Sequence, residues 1–493
     1  MTPGVLTWPD YLVLALGLGL VLGIGAALRG RQTDTTEFFL AGRHVPWWAA
    51  CLSFLATEIS ALTIVGVPAT ACNEGNWEYL QYFIGSSASK LVVAFLFIPA
   101  FYALRVTTIY ELLLDRFGRR TQVAASIFFF VTRLLGSGVR LMAAAVAVSI
   151  LLGLDPLLTI GVFTLVSIAY IAAGGVSAIV WTNVVQALVF IAAGVAALLF
   201  ALASVDGGLS RAWALTWEAG RMRVFDWGPS PWEPGFLGQV FTRQNVWWVA
   251  ILNGFFGSLA AFGTDHDLMQ RLIAVETRRQ SQLTLCLSPL LTLVVVLLFL
   301  SLGSALHAFL VGHPLAIEKP DQVLAVFARD VMPAGLKGLV LTAIVLASLD
   351  SPLGALAASF VTDIYRPLIA PDRPDGHYLR VGRVCVLAFG LALAALAVWF
   401  SFFEGILWLA FKIAGVTFGS LLGVFLLALL ARRPTDDRAN VVAMVAMAAV
   451  NLALLVLSEK AILPLAWPWL VLIGTAGTVA LARALTPLLA PRT

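Results

Sequence analysis

The sequence predicts an all-α membrane protein with about thirteen transmembrane helices. Its 493 residues are 60% apolar and only 12% charged, whereas soluble domains contain about 25% charged residues. The mean hydropathy is +0.94, and apolar residues form unbroken runs that match the roughly 20 residues a helix needs to cross a bilayer. Strands of a membrane barrel would instead alternate apolar and polar residues. These observations exclude a soluble enzyme and an outer-membrane barrel.

The apolar runs define the predicted spans in chain order. They are 9–29, 46–72, 79–104, 121–152, 155–174, 178–203, 246–263, 280–308, 337–361, 377–403, 405–431, 439–457 and 463–489. Two of these spans, 46–72 and 246–263, contain polar or glycine-rich segments and lie five spans apart, which favours an inverted repeat of five plus five helices. The predicted regions are a leading helix and basic loop over 1–45, a first five-helix repeat over 46–203, an extracellular interfacial loop over 204–245, a second five-helix repeat over 246–431 and two trailing helices over 432–493.

Arginine residues predict the orientation of the chain in the membrane. Alternate loops carry clusters of arginine, such as Arg116, Arg119 and Arg120, and short basic loops stay on the cytoplasmic side. The N-terminus is therefore predicted outside and the C-terminus in the cytoplasm, in a multi-pass protein of the plasma or inner membrane. The small net charge of +4 then reflects membrane orientation, so no nucleic-acid partner is expected.

The predicted extracellular loop over 204–245 is rich in aromatic residues. Its four tryptophans, set among prolines and glycines, are Trp213, Trp217, Trp227 and Trp232. Because tryptophan is enriched at membrane–water interfaces, we predict an interfacial or re-entrant segment. A lid over a binding site is the alternative.

Interrupted helices are the predicted place of solute and ion binding, because unwound backbone exposes carbonyls to cations and amides to anions. The segment 56–61, Ala-Thr-Glu-Ile-Ser-Ala, places a carboxylate and two hydroxyls among apolar residues. The segment 253–258, Asn-Gly-Phe-Phe-Gly-Ser, places an amide and two glycines in the later span. We predict a helix break in each segment.

Five motifs resemble those of the sodium/solute symporter family in their order along the chain. They are Glu-Phe-Phe-Leu-Ala-Gly-Arg-His-Val-Pro-Trp-Trp over 37–48, Val-Thr-Thr-Ile-Tyr-Glu over 106–111, Gly-Gly-Val-Ser-Ala-Ile-Val-Trp-Thr-Asn over 174–183, Gly-Thr-Asp-His-Asp-Leu-Met-Gln-Arg over 263–271, and Ser-Leu-Asp-Ser over 348–351 with Thr-Asp-Ile-Tyr over 362–365. The resemblance implies the leucine-transporter fold with an added leading helix. It also implies secondary active transport, in which inward sodium flow drives uptake of a small organic solute by alternating access.

The resemblance further implies a sodium site where the first broken helix meets the eighth helix of the repeat. By motif register, its ligands come from Ala56 and Ile59 on one side and from Ile344, Ala347 and Ser348 on the other. Carbonyl and hydroxyl oxygens suit sodium, which is a hard cation. Many members of the family have two adjacent hydroxyl residues at the last pair, so Ala347 removes one ligand.

Two carboxylates are candidates for ion coupling, Glu58 and Asp350. Glu58 lies where proline-type members carry an acidic residue that supports the ion, whereas a buried acid without a partner tends to be protonated. Glu58 is thus either a sodium ligand or a proton carrier, and a proton symporter on the same scaffold is the alternative function. A second sodium site in some members needs an aspartate where this chain has Asn183, so coupling to one ion is predicted.

Charges inside spans are candidates for solute contact, because burying them is costly unless they are paired or hydrated. The guanidinium of Arg140 would bind a carboxylate through two hydrogen bonds, and Lys412 lies near a solute-contact position of sugar-type members. A salt bridge to Glu58 or Asp350 is the alternative for both, and Lys90 is equally open to an acidic partner or a solute. The predicted solute-site residues are Ser60, Thr63, Arg140, Ser258 and Lys412. They favour a carboxylate or zwitterion over a hexose.

The remaining motifs indicate structure more than chemistry. In the segment 264–271 we expect the aspartates to cap the next helix and to pair with Arg271, with metal binding as the alternative. The four cysteines have no paired spacing, and no nucleophile or phosphate-loop motif is present. An enzyme is therefore not expected, and sodium is the only predicted cofactor.

The expected partners are the solute, sodium and the lipid bilayer, and the expected state is a monomer. A transporter-like membrane sensor is the second function class.

Overall fold

The computed structural model describes residues 6–28, 35–230, 232–349, 352–402 and 406–489. These residues form helices joined by loops, and their β contacts are isolated bridges between Val45 and Val275 and between Asp226 and Val246. The predicted all-α class is confirmed. One candidate site residue, Asp350, lies outside the described residues.

The principal helices are numbered here in chain order. They are α1 Trp8–Ala27, α2 Trp47–Glu58, α3 Ala61–Ala69, α4 Tyr79–Leu104, α5 Arg119–Leu152, α6 Pro156–Ala203, α7 Trp247–Thr264, α8 His266–Ile273, α9 Arg278–Gly312, α10 Leu336–Leu349, α11 Leu353–Ser359, α12 Asp375–Phe400, α13 Ile406–Leu430, α14 Asp437–Glu459 and α15 Trp469–Leu489. Wider helical turns extend α3 to Glu74 and α11 to Ile369. Short helices occupy the connections Thr35–Leu40, Glu111–Arg116, Gly208–Trp213, Phe236–Thr242 and Val323–Asp330.

The described residues contain 11 helices that are long and apolar enough to cross a membrane, and the bent pair of α2 and α3 makes up to 12. The predicted spans 155–174 and 178–203 both fall within α6. Its second part, Val176–Ala203, has the length of a full span, whereas Pro156–Ala169 is shorter. The chain is thus a multi-pass membrane protein, but the count of thirteen spans is not confirmed.

The predicted break in the segment 56–61 is confirmed. Helices α2 and α3 meet at an angle of 55°, with Ile59 and Ser60 in extended backbone between them. The Ser60 hydroxyl accepts a hydrogen bond from the Leu62 amide at 3.3 Å. Serine is a favoured N-cap, because its hydroxyl satisfies an amide that has no partner within the helix. The local sequence therefore begins a new helix at this point.

The predicted break in the segment 253–258 is wrong, because α7 runs through it without interruption. A Cβ atom on Gly254 would lie 2.1 Å from the Tyr82 carbonyl oxygen, and one on Gly85 would lie 2.0 Å from the Ile251 carbonyl oxygen. Small residues at such positions let two membrane helices approach closely. These glycines therefore serve the packing of α7 against α4.

The chain bends instead at the end of α7. Asp265 has extended backbone between α7 and α8, and its carboxylate accepts a hydrogen bond from the Asp267 amide at 2.9 Å. The carboxylate of Asp267 lies 2.8 Å from Arg271. The predicted capping and pairing within the segment 264–271 are both confirmed.

The leading helix α1 packs against α10, which carries three of the predicted sodium ligands. The buried carboxylate of Asp10 accepts hydrogen bonds from the amides of Gly335 and Gly338, each at 2.8 Å. Because the first amides of a helix lack partners within it, this carboxylate caps the start of α10. A Cβ on Gly338 would lie 2.5 Å from the Cα of Asp10, so the two segments are in close contact.

Candidate functional site

A cavity of about 200 Å³ lies beside the break between α2 and α3. Its walls come from α3, α4, α5, α7, α8 and α13, together with the last residue of α2 and residues at the start of α15. Four of the five predicted solute-site residues line it: Ser60, Thr63, Arg140 and Ser258. A concave site with apolar walls and a few polar groups is typical of small-molecule binding, and we refer to it as the central cavity.

Arg140 faces the central cavity from α5. Its guanidinium donates a hydrogen bond to the Thr57 carbonyl oxygen at 3.1 Å. That carbonyl lies in the last turn of α2, where unpaired carbonyls form the negative end of the helix dipole. Arg140 therefore holds the end of the first half-helix while it lines the solute space.

Glu58 also lines the central cavity, and it has a cationic partner. Its carboxylate lies 2.7 Å from the ammonium of Lys90 and accepts a hydrogen bond from the Thr292 hydroxyl at 2.9 Å. The Lys90 side chain is 0% exposed, and its ammonium lies 5.0 Å from the centre of the Phe262 ring. The structure thus shows the acidic partner that was one alternative for Lys90, and the pair joins α2 to α4 and α9.

The predicted sodium ligands lie at the end of α2, at the break itself and in α10. Ala56, Ile59, Ile344 and Ala347 are buried, and Ser348 is half-buried. The Ser348 hydroxyl donates to the Val345 carbonyl at 2.6 Å, so its oxygen can still offer a lone pair to a cation.

A space of about 10 Å³ adjoins two of these five residues, Ala347 and Ser348, and we call it the ion niche. Ser60, Ser137, Arg140, Ala347 and Ser348 line it together with Leu141, Pro352 and Leu393. About 10 Å³ is room for one water-sized group.

Asn183 projects from α6 toward α2. Its amide nitrogen donates to the hydroxyls of Ser53 at 3.1 Å and Thr57 at 3.3 Å. All three side chains are buried, and within the described structure the amide oxygen of Asn183 has no hydrogen-bond partner. A neutral amide therefore occupies the space between two hydroxyls that could otherwise face a cation.

Aromatic side chains close the central cavity on the side of the segment 204–245. The ring centres of Tyr82 and Phe411 are 5.3 Å apart, and Phe411 stacks on Trp467 at 5.6 Å. The same three residues line a second cavity of about 30 Å³ beyond them. This aromatic layer separates the two cavities.

An ion-pair cluster closes the opposite side of the central cavity. Arg133 of α5 lies 3.2 Å from Asp265 and also contacts Asp267, which pairs with Arg271. All four side chains are more than nine-tenths buried. Because buried charges are stable only when paired, the cluster holds α5 firmly to α8.

The segment 204–245 lies over the second cavity. Arg223 pairs with Glu78 at 2.7 Å, and Gln244 accepts a hydrogen bond from the Trp467 indole at 2.8 Å. These contacts fit the predicted alternative of a lid. The four tryptophans of the segment remain more than half exposed, which fits interfacial anchoring: Trp213, Trp217, Trp227 and Trp232.

The structure does not bring Lys412 to the other predicted solute-site residues. Its ammonium lies 2.8 Å from the carboxylate of Glu459, and both side chains are partly exposed. Its neighbour Phe411 lines the central cavity, and successive residues of a helix point about 100° apart. Lys412 therefore faces away from the solute space.

Several polar residues that line the central cavity were missing from the sequence prediction. They include Tyr82, Asn253 and Asp265, and the Tyr82 hydroxyl lies 3.3 Å from the Ser258 hydroxyl. Asn253 and Asp265 could have been found, because each lies in a segment that the motif analysis singled out. Tyr82 carries no such signal, since aromatic residues are common in membrane helices.

Comparison with known proteins shows which family this chain resembles. The profile of the Sodium:solute symporter family matches residues 38–448. The sodium/sialic acid symporter SiaT of Proteus mirabilis is 26% identical over 90% of this chain and 88% of its own length, and the sodium/sialic acid symporter NanT of Aliivibrio fischeri is 27% identical over 87% and 84%. Sodium-coupled monocarboxylate transporter 2 of Danio rerio is 29% identical over 85% of this chain and 67% of its own length.

A solved structure gives the same result at the level of the fold. It shows a Na⁺-coupled sialic acid symporter in a substrate-bound outward-open state, and it covers 99% of both chains at 25% identity with a TM-score of 0.85. The profile covers most of the chain, so the predicted family, fold class and absence of enzymatic activity are confirmed. This chain belongs to the sodium:solute symporter family.

Proposed function

We propose that the solute of this transporter is a small carboxylate of the sialic acid type. As a member of its family, the protein couples sodium flow to solute uptake by alternating access. The observation that carries the proposal is Arg140, whose guanidinium faces the central cavity. Guanidinium groups bind carboxylates with geometric specificity. The hydroxyls of Ser60, Thr63 and Ser258 would serve the remaining polar groups of a sugar acid.

The proposed sodium ligands are the carbonyls of Ala56, Ile59 and Ile344 with the Ser348 hydroxyl. Ala347 contributes its carbonyl but no hydroxyl. The ion niche next to it has room for one water, and we propose that this water replaces the missing ligand.

We further propose that one sodium ion drives each cycle. Asn183 is neutral and already bonds two hydroxyls, so it offers no charge to a second cation. Glu58 already has Lys90 as its partner, so it is not the unpaired buried acid that a proton carrier requires. Asp350 stays an auxiliary candidate on its place in the sequence alone.

In the proposed orientation, the N-terminus and the segment 204–245 are outside and the C-terminus is cytoplasmic. The aromatic layer then becomes the outer barrier, and the ion-pair cluster of Arg133 becomes the inner one. Two five-helix repeats, over 46–203 and 246–431, would rock around the central cavity. The protein would work as a monomer within the lipid bilayer.

The test is the thermal stability of the detergent-purified protein against a panel of solutes. Sialic acid, short monocarboxylates, carboxylated vitamins and glucose are each added in sodium and in potassium at matched ionic strength. A ligand that binds the folded state raises the melting temperature by mass action. We expect sialic acid or another carboxylate to stabilise the protein in sodium only. Stabilisation by glucose, or by a carboxylate equally in both salts, would overturn the proposal.

A matched pair of variants assigns the two sites. Ser348→Ala removes one sodium ligand, so we expect a higher sodium concentration for half-maximal uptake with the same order of solute preference. Arg140→Ala removes the carboxylate contact, so we expect loss of carboxylate binding. Unchanged sodium dependence in Ser348→Ala would remove that hydroxyl from the ion site.

A further inference from the structure

The leading helix α1 packs against the helix that carries three of the proposed sodium ligands. It lies at the edge of the bundle, where it contacts α10 and α6. Its outer side is apolar, and Leu12, Leu16 and Leu20 are exposed there. Such a side meets lipid in a membrane. The position of α1 therefore depends on its contacts with these two inner helices.

The contacts of α1 follow one stripe along α10. The Asp10 carboxylate accepts hydrogen bonds from two amides at the start of α10, and the bond from Gly338 is 2.8 Å long. Further along α1, a Cβ atom on Gly17 would lie 2.4 Å from the methyl group of Thr342 and 3.8 Å from Leu346. Gly338, Thr342 and Leu346 are four residues apart, so they share one face of α10. We call them the α1 stripe.

The α1 stripe lies behind the proposed sodium ligands of α10. Successive residues of a helix point about 100° apart, so Ile344, Ala347 and Ser348 lie on the face opposite the stripe. The Asp10 carboxylate fixes the start of α10, and the contact at Gly17 fixes the distance between the two helices. Helix α1 therefore supports α10 from the side that faces away from the ion.

We propose that Asp10 and Gly17 are positioning residues for the sodium site. Through them α1 holds α10 where its ligands meet the break between α2 and α3, and neither residue touches the ion. A binding site tolerates a displacement of its ligands of only about 0.5 Å. Ligands that are already in place also bind without an ordering cost. The inference rests on the proposed sodium site.

Gly17→Ala disturbs this contact by one methyl group. The new methyl would lie 2.4 Å from that of Thr342. Carbon atoms pack at about 3.5–4.0 Å, so the two helices must separate by about 1 Å. The Thr342 side chain is held in place, because its hydroxyl donates to the Gly338 carbonyl at 2.7 Å. Since lipid lies on its outer side, α1 moves outward and takes the Asp10 carboxylate away from the amides of α10.

The test follows the melting temperature of purified variants as sodium replaces potassium at constant ionic strength, without solute. The melting temperature in potassium alone reports stability, whereas the sodium concentration that gives half of the full shift reports sodium affinity. We expect Gly17→Ala to raise that concentration about tenfold, the lower end of the range for groups that orient metal ligands. Gly17→Ala with Thr342→Ser should restore it. Serine keeps the hydroxyl and lacks the clashing methyl, and the position 342 Cβ lies 3.9 Å away.

Gly19→Ala is the matched control for Gly17→Ala. A Cβ atom on Gly19 would have no other atom within 4 Å, so this variant should bind sodium as wild type does.

Asp10→Ala tests the other contact, and we expect it to weaken sodium binding by a similar factor. Its matched control is Asp436→Ala. The Asp436 carboxylate accepts from the amides of Arg438 at 2.9 Å and Ala439 at 3.1 Å, so it caps α14, which carries no proposed ligand. Asp436→Ala should lower the melting temperature in potassium and leave sodium affinity unchanged.

One result would overturn the positioning role. If Gly17→Ala and Asp10→Ala melt lower in potassium but bind sodium as wild type does, α1 stabilises the fold only. Asp10→Asn, which keeps one acceptor oxygen and the side-chain volume, decides the matter if those two variants do not fold. Ser348→Ala with unchanged sodium affinity, or wild type without a sodium response, would overturn the proposed sodium site instead.

Discussion

The buried pair of Lys90 and Glu58 offers the sharpest test of how the broken helix is held. Lys90→Met keeps most of the side-chain volume but leaves the Glu58 carboxylate without its cation. Removing one partner of a buried ion pair costs about 3–5 kcal/mol. The Lys90 side chain is 0% exposed and the Glu58 side chain 14%, so little solvent can compensate. We expect the free energy of unfolding of Lys90→Met to fall by about that amount.

The double variant Lys90→Met with Glu58→Gln should recover most of the loss, because no charge remains buried and the Gln oxygen can still accept from Thr292. Denaturant unfolding in mixed micelles measures the free energy of unfolding of wild type, of each single variant and of the double variant. Lys412→Met is the control. That lysine belongs to a partly exposed pair, so its loss should cost about 0–1 kcal/mol. If the losses of the two single variants sum to the loss of the double variant within about 0.5 kcal/mol, the coupling between Lys90 and Glu58 is refuted.

Three further predictions concern the helix contacts around the site. Gly254→Ala should abolish folding, because its Cβ would lie 2.1 Å from a backbone oxygen. Gly257→Ala should fold, because its Cβ would lie 3.6 Å from its nearest atom. Detergent size-exclusion profiles of the two variants check this prediction. Asn183→Asp should raise the Hill coefficient for sodium in uptake assays from about one toward two, because it adds a charge beside two hydroxyls. An unchanged coefficient would contradict the role proposed for Asn183. Arg133→Gln should lower the melting temperature, since the buried carboxylate of Asp265 loses its cation and that of Asp267 keeps only Arg271. Asp265→Asn in the same chain should restore part of the loss.

The sequence by itself determined the features that depend on local physics. Run length and hydropathy are sufficient to predict helices that cross a bilayer, because an apolar helix satisfies its own backbone in lipid. The break at Ile59 and Ser60 was also predictable, since a serine N-cap acts within a few residues. The capping by Asp265 followed from the same short-range rule. Motifs in the chain then identified the family.

Tertiary structure alone decided which residues meet. A glycine in a membrane helix is consistent with either a helix break or a close helix contact. Only the position of Tyr82 shows that Gly254 allows a close helix contact. Long charged side chains have the same ambiguity: Lys90 meets Glu58, whereas Lys412 meets Glu459. These partners lie 32 to 47 positions apart and on different helices, so no local pattern specifies them. Helix packing decides which of these pairs form, because an ion pair inside the bundle forms only where packing brings both charges together.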